Sequence, residues 1–551
     1  MRRLILPAAL LVLTCGPARA ADAVFDPTRI ARHVEVLSSD AFEGRAPATP
    51  AEAKSVAYII EQFRGAGLEP GGDPAPNGRR AWTQDVPLAR FEAKGRMAVS
   101  VRTPTGSLTW SQGDQIAVRA AATGDKRVAI ANAPIIFAGY GVTAPEKGWD
   151  DFKGVDLKGK IILVLVNDPD FETGQGDFGG KAMTYYGRWT YKYEEAARRG
   201  ALGVLVIHET APASYGWATV KNSNTNEIFD IVRAQPARAH APLEGWIQRD
   251  ATANLMKAAG FDFETLKSAA RARDFKPVML TGVSLSLRYD VDVRTVITRN
   301  VAGRLPGATR PLETVMYTAH WDHLGIGQPD AKGDRIYNGA IDNADGVAVL
   351  IELARAHASA PRADRSLLFL SVTAEEKGLL GSEYYAAHPL YPLGTTVADL
   401  NMDALSASGA SRDFSISGAA PLSLVDDLIA VGRARGRTFS ADPDPQAGRF
   451  YRSDHFSLAK VGVPAISFKS GQDMVKGGPA AGAAAAAAYN ADRYHQPADQ
   501  LDASWNFDGM VQDAGLLFDL GRQLANSRSW PEWKPGAEFK AERDKTAALR
   551  Q

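Results

Sequence analysis

Two histidines and a set of carboxylates stand at the ends of apolar runs along this chain. His320 and Asp322 follow Val315-Met316-Tyr317-Thr318. Asp342 lies in Asn338-Gly339-Ala340-Ile341-Asp342-Asn343-Ala344-Asp345-Gly346, just ahead of a helical pattern. Glu375-Glu376 follows Leu367-Leu368-Phe369-Leu370-Ser371-Val372, Asp403 follows Val397-Ala398-Asp399-Leu400-Asn401-Met402, and His495 sits in Tyr494-His495-Gln496-Pro497. Two imidazoles with several carboxylates are the ligand types of a hydrolytic zinc site. A pair of zinc ions about 3.5–4 Å apart needs a carboxylate between them and separate ligands for each. Asp322, two residues beyond His320, has the separation to hydrogen-bond the other ring nitrogen and fix its tautomer. Of the adjacent Glu375 and Glu376, one can ligate while the other takes a proton from water. Taken singly these residues have plainer readings: Glu375-Glu376-Lys377 as a solvated helix start, Asp342-Asn343 as a helix cap, a lone histidine as structural. The combination carries the chemistry.

The elements that must position them read as buried strands alternating with helices. From Thr298 to the C-terminus this strand–helix alternation predicts a mainly parallel sheet. Ligands at the carboxyl ends of such strands face one crevice. Before it, residues 26–70 read as two helices around Ser38-Ser39-Asp40-Ala41-Phe42-Glu43-Gly44-Arg45, and residues 81–120 as short antiparallel strands. Residues 120–285 form a separate pattern with the apolar strands Ile161–Val166 and Gly200–Ile207 and no catalytic cluster, as expected of an inserted domain. Pro479–Ala488 is Ala-rich and reads as a loop or short helix.

A length of 551 residues predicts more than one domain. Lys+Arg and Asp+Glu are both 63, so the net charge supports no nucleic-acid partner. Arg2-Arg3, the apolar Leu4–Thr14 and Ala18-Arg19-Ala20 form a secretory signal over residues 1–20. The apolar run is too short to span a bilayer, and no later run does, so stable membrane insertion is not expected. Cys15 is the only cysteine; Thr14 disfavours lipoprotein processing there, and cleavage after Ala20 leaves no thiol chemistry. The expected location is periplasmic or secreted.

The motifs His320-Trp321-Asp322-His323, Asn338–Gly346, Ala374-Glu375-Glu376, Asn401-Met402-Asp403, Arg452-Ser453-Asp454-His455 and Tyr494-His495-Gln496-Pro497 come in an order that resembles the co-catalytic zinc exopeptidases. These include secreted bacterial leucyl-type aminopeptidases, glutamate carboxypeptidases and glutaminyl cyclases. Leu37-Ser38-Ser39-Asp40, Glu43-Gly44-Arg45 and Gly67-Leu68-Glu69-Pro70 resemble the secreted bacterial members. The 120–285 insert resembles a protease-associated domain. The resemblance implies an α/β fold with a mainly parallel central sheet flanked by helices, of the phosphorylase/hydrolase-like kind. Its catalytic domain would comprise residues 21–119 and 286–551, with a β-rich protease-associated domain inserted at 120–285.

It further implies two Zn²⁺ ions per chain. Asp342 would bridge them, His320 and Asp403 would complete one site, and Glu376 and His495 the other. Glu375 would be the general base and Asp322 would orient His320. Some relatives place a tyrosine just before Ser-Asp-His, which makes Tyr451 and Arg452 substrate-pocket candidates. Asp454-His455 reads as a structural hydrogen-bonded pair. The implied activity is removal of N-terminal residues from peptides or small proteins. Glutamate carboxypeptidase-like or dipeptidase activity, glutaminyl cyclisation and non-catalytic peptide binding stand as alternatives, and oligomeric state is left open.

Overall fold

The structure is a computed structural model and describes residues 25–95 and 97–550. The expected signal segment and Cys15 lie outside the described residues. Among the described residues no helix is long and apolar enough to cross a membrane.

Six strands of the large sheet matter most for the site: β1 (Thr83–Lys94), β2 (Val278–Leu305), β3 (Arg310–His320), β4 (Arg365–Val372), β5 (Thr396–Met402) and β6 (Ala465–Ser470). Their spatial order is β1-β2-β4-β3-β5-β6. β4, β3, β5 and β6 run parallel, and β1–β2 and β2–β4 are antiparallel. The sheet is thus mixed and mainly parallel. Every residue of β4 and of β5 is buried, as in parallel strands covered on both faces. The cover includes the helices α1 (Pro27–Leu37), α2 (Pro50–Gly65), α3 (Asp345–Ser359) and α4 (Asp508–Asn526). Tyr317 stacks on Phe369 across β3 and β4 at 5.3 Å, and its hydroxyl donates to the Leu517 carbonyl of α4 at 3.0 Å. A Cβ at Gly521 would lie 1.6 Å from that hydroxyl, so only glycine lets α4 approach the sheet this closely.

The chain passes from β3 through α3 to β4 on one side of β3, then crosses to β5 on its other side. The carboxyl end of β3 is therefore the point where strand order reverses, the usual place for a crevice in open α/β sheets. Register sets the depth of each ligand there. His320 pairs with Val372, and Thr318 with Asn401. Glu375, Glu376 and Asp403 then follow within a few residues of the same level.

The expected strands between 81 and 120 are present. Ala98–Thr103 and Gly106–Ser111 pair antiparallel, while Ile116–Val118 pairs with Leu243–Gln248. Arg127–Phe137, Ile161–Leu165, Gly203–His208 and Leu243–Gln248 form a parallel set of their own. β2 links this set to the central sheet without a break: its first part pairs with Arg127–Phe137 and its last part with β1 and β4. The Ala-rich segment is longer and more regular than expected, a helix from Gly478 to Asp492. Alanine has the highest helix propensity of any residue, and this run has enough of it to hold a helix with little burial.

Candidate metal centre

His320 ends β3 and is 1 % exposed. Its Nε2 faces Asp342 Oδ1 at 3.3 Å and Asp403 Oδ1 at 3.4 Å. The other oxygen of Asp342 lies 3.1 Å from His495 Nε2, which in turn lies 3.2 Å from Glu376 Oε2. Asp342 thus presents one oxygen to each of two imidazoles, the disposition of a carboxylate shared by two cations. His320, Asp342 and Asp403 form one group of converging ligand atoms, and His323, Asp342 and Glu376 a second.

His323 had no role assigned from sequence. Its Nδ1 lies 2.6 Å from Glu376 Oε1, yet the two are not aligned as a hydrogen bond. Glu376 Oε1 and both ring nitrogens of His323 are buried without a hydrogen-bond partner. Orphaned polar atoms at such depth are rare. Two of them aimed at a common point are what a cation resolves, so the donor set fits zinc. The signal for His323 was in the motif: a second histidine three residues after His320.

Asp322 acts differently from the expectation. Its backbone carbonyl, not its carboxylate, lies 3.1 Å from His320 Nδ1 and accepts from that nitrogen when it is protonated; the carboxylate Oδ1 is 3.8 Å away. The carboxylate instead accepts the backbone N–H of Glu375 at 3.1 Å and of Glu376 at 3.4 Å. One residue thereby fixes the ring of His320 and the turn that carries both glutamates.

Asp342 is free to ligate because its neighbours do the capping. Asn343 Oδ1 accepts the Gly346 N–H of α3 at 3.1 Å and the Ala404 N–H at 3.3 Å, and its Nδ2 donates to Met402 O. Asp499 accepts the N–H groups of Ile341 and Asp342. Gly339 adopts φ +56°, and a Cβ there would lie 2.2 Å from Asp342 O and 2.6 Å from the His323 ring. From the N-terminal segment, buried Arg45 donates to the carbonyls of Leu37, Trp321, Asn338 and Gly339. It clamps the loops bearing His323 and Asp342 together. Ala374, Ala404 and His495 all adopt positive φ, at about 1–3 kcal/mol each for non-glycine residues; the surrounding contacts hold that strain beside the ligands.

Electrostatics divide the carboxyls. Burial would raise Asp342, but the imidazoles of His320, His495 and His323 hold it well below the ordinary range. Burial is likewise overridden at Glu376, where His495 and His323 keep the carboxyl low. Glu375 goes the other way, pushed well up by burial and then by Asp403, Glu376 and Asp454 against the opposing pull of His320. A ligand held ionised beside a carboxyl that favours its proton is the division of labour that acid–base chemistry needs.

The remaining sequence-derived candidates separate. Tyr451 is buried among aromatic rings and donates to Glu538, so its hydroxyl is committed there and does not serve the crevice. Arg452 is exposed. Asp454 and His455 are both fully buried but are not a pair: Asp454 accepts from Ser382 at 2.6 Å, and His455 packs edge-on against Phe450.

Residues 300–518 match the sequence profile of Peptidase family M28. The chain is 31% identical over 170 residues to the aminopeptidase NAALADL1 of Mus musculus, covering 27% of this chain and 21% of that protein. It is 34% identical over 91 residues to the aminopeptidase YwaD of Bacillus subtilis (strain 168), covering 16% of this chain and 18% of that protein. The chain thus spans about a fifth of the length of these curated relatives. Among solved structures, an aminopeptidase from Aneurinibacillus sp. strain AM-1 aligns over 91% of this chain and 94% of its own at 20% identity, with a TM-score of 0.48. The zinc aminopeptidase BSAP from Bacillus subtilis aligns over 94% and 99% at 18% identity, with a TM-score of 0.43. Every ligand candidate described above lies within residues 300–518, the stretch that matches Peptidase family M28.

Proposed function

We propose that this chain is an exported zinc-dependent exopeptidase, an aminopeptidase that removes N-terminal residues from peptides. The observation that carries the reading is the convergence of His320, Asp342, Asp403, His323, Glu376 and His495 on two adjoining groups that share Asp342. The named relatives are aminopeptidases, and the basic–apolar–Ala-Arg-Ala start supports export. We assign residues 120–285 to an inserted unit and the flanking residues to the catalytic domain.

Two zinc ions fit these ligands: His320 and Asp403 would hold one, Glu376, His495 and His323 the other, with Asp342 common to both. When bound, zinc supplies Lewis acidity that polarises a peptide carbonyl and acidifies water. The chain's residues do the rest. Glu375 accepts the proton of the attacking water and returns it to the departing amine. Asp322 holds Glu375 in place through its backbone N–H and keeps His320 Nε2 turned to the centre through its carbonyl. Asp342 and Glu376 stay ionised as ligands.

Glu375→Gln tests this. Purified protein should hold about two zinc ions per chain and cleave aminoacyl anilides only when the N-terminus is free. The variant should keep its metal and lose about 10²–10⁴-fold in kcat, the usual contribution of a positioned acid–base group. Loss of metal from the variant would make Glu375 a ligand instead. Hydrolysis of N-blocked peptides with a free carboxyl end would redirect the activity to carboxypeptidase.

A further inference from the structure

The turn that carries Glu375 and Glu376 has a non-glycine residue in the left-handed region at each end, Ala374 at φ +53° and Leu379 at φ +64°. Such residues stay there only where the surroundings hold them. Within the turn, the N–H groups of Gly378 and Leu379 donate to the Glu375 carbonyl, and that of Leu380 to the Ala374 carbonyl. Asp322 accepts the N–H groups of Glu375 and Glu376. A further support is apolar. Ala374 and Leu380 are buried in one small cluster with Val86 and Leu88 of β1 and with Ile231, apart from the main core.

Ile231 ends the strand Ile228–Ile231, which pairs antiparallel with β1 and sets Ile231 opposite Leu88. Alternate residues of an extended chain face one way, and three alternate residues here meet the turn or the helix after it, Leu380–Ala387. Lys377 Nζ lies 5.7 Å from the centre of the Phe229 ring. Ile231 shares the cluster with Ala374 and Leu380. Arg233 pairs with Glu383. Val232, between them, is exposed. The segment is itself anchored. Arg233 donates twice to Asp230, at 2.7 and 2.9 Å, and His240 lies 3.0 Å from Asp230 Oδ2 and 3.2 Å from Glu244 Oε1. A chain of charge, Glu244–His240–Asp230–Arg233–Glu383, thus runs from the strand Leu243–Gln248 to the helix that follows Glu375.

We propose that Ile231 and Arg233 are positioning residues for Glu375: the segment 228–233 wedges the turn at the height where Glu375 meets the attacking water. This rests on the peptidase reading above. Both residues lie outside 300–518, so the stretch 127–248 gains a physical hold on the catalytic step. Shortening Ile231 opens space beneath a strained turn and lets Ala374 relax into it. Displacing a reacting group by about 1 Å can cost about 10²-fold in rate. Five of the six ligand candidates lie off this turn, so metal binding should survive a change that misplaces Glu375.

The test compares zinc-loaded wild type with Ile231→Ala, Ile231→Val and Arg233→Gln, and with Val232→Ala as the control from the exposed face. Hydrolysis of a free-amine aminoacyl anilide is read beside zinc content and beside hydrogen exchange of residues 374–381, with β5 as the internal reference. Ile231→Ala should lower kcat by about ten- to a hundredfold with KM within about twofold. It should keep its zinc and lose exchange protection in 374–381 but not in β5. Arg233→Gln should do the same to a smaller degree, Ile231→Val should keep most of kcat, and Val232→Ala should match wild type. If Ile231→Ala does not fold, Arg233→Gln and Ile231→Val decide by the same readings. An unchanged kcat, a loss of protection equal in 374–381 and β5, or a fall in zinc parallel to the fall in kcat overturns the proposal. If wild type cleaves no anilide or peptide, the peptidase reading falls by itself. Protection lost only in 374–381 then still supports the hold of Ile231 and Arg233 on the turn, and unchanged protection overturns it.

Discussion

Two clusters of charge are buried in this molecule, and they are resolved in opposite ways. In the stretch from 127 to 248, Lys192 is 2% exposed and donates to the carbonyls of Tyr140 and Asn167. Its acidic neighbours are also satisfied: Asp151 accepts from Val142 N–H and Trp149 Nε1, and Asp168 from Thr184 through N–H and hydroxyl. In the stretch 300–518 four carboxyls, Asp342, Asp403, Glu375 and Glu376, face three imidazoles, and His323 and Glu376 retain atoms with no partner. Burial of charge is common to both. What separates them is whether the protein's own groups close the network. A closed network is structural, whereas an open one with surplus negative charge is completed by something that binds.

The sharpest way to break this contrast is Asp342→Asn. It removes the carboxylate common to both ligand groups, so zinc content should fall from about two per chain to less than one, with activity lost along with it. Elemental analysis beside turnover reads both. Chelating the wild type should lower its melting temperature as well. A ligand held a thousand-fold above its Kd contributes about 4 kcal/mol to stability. Retention of two ions by Asp342→Asn would show that the two groups do not depend on a shared ligand.

Lys192→Met probes the closed cluster. It removes the donor to the buried Tyr140 and Asn167 carbonyls, and each buried group left unsatisfied costs about 1–3 kcal/mol. Denaturant unfolding should show that loss while zinc per folded chain stays at the wild-type value. A fall in metal content without a fall in stability would reverse the roles of the two clusters.

The sequence displayed the open cluster better than the closed one, for a physical reason. His320, Glu376 and Asp403 are polar residues at or just beyond the carboxyl ends of buried strands, and a parallel sheet aligns such ends. His323 was harder to place because its direction comes from a loop held by Arg45 and by the positive φ of Gly339. Asp499 escaped notice because it supports Asp342 through backbone N–H groups 157 residues away in sequence. The break expected near 285 falls inside β2, which continues as one strand from Val278 to Leu305. Arg188, buried with its Nε lacking a hydrogen-bond partner, was invisible in a different way. An arginine at a helix start reads as surface, and only packing reveals that it is buried without a partner.

Glu538 offers the finest discrimination, because it lies at the seam where two distant stretches of the chain meet. It accepts from Tyr185 N–H and from Tyr451 O–H. Burial pushes its carboxyl up from the ordinary 4.5 to about 7, helped by Asp168 and opposed by those two donors and by Lys147. The folded state therefore keeps a proton that the unfolded chain has already lost between these values. Stability from this group is fully present below about pH 4.5 and is lost as pH rises through about 7. At 1.36 kcal/mol per unit the full loss is about 3.4 kcal/mol, of which about 2.5 kcal/mol falls between pH 5 and pH 8. Glu538→Gln, which cannot titrate, should abolish that part of the slope, so the stability gap between variant and wild type should shift by this amount between pH 5 and pH 8 in the variant's favour. Equal slopes in the two proteins would mean that the seam, like the Lys192 cluster, is already closed without a proton.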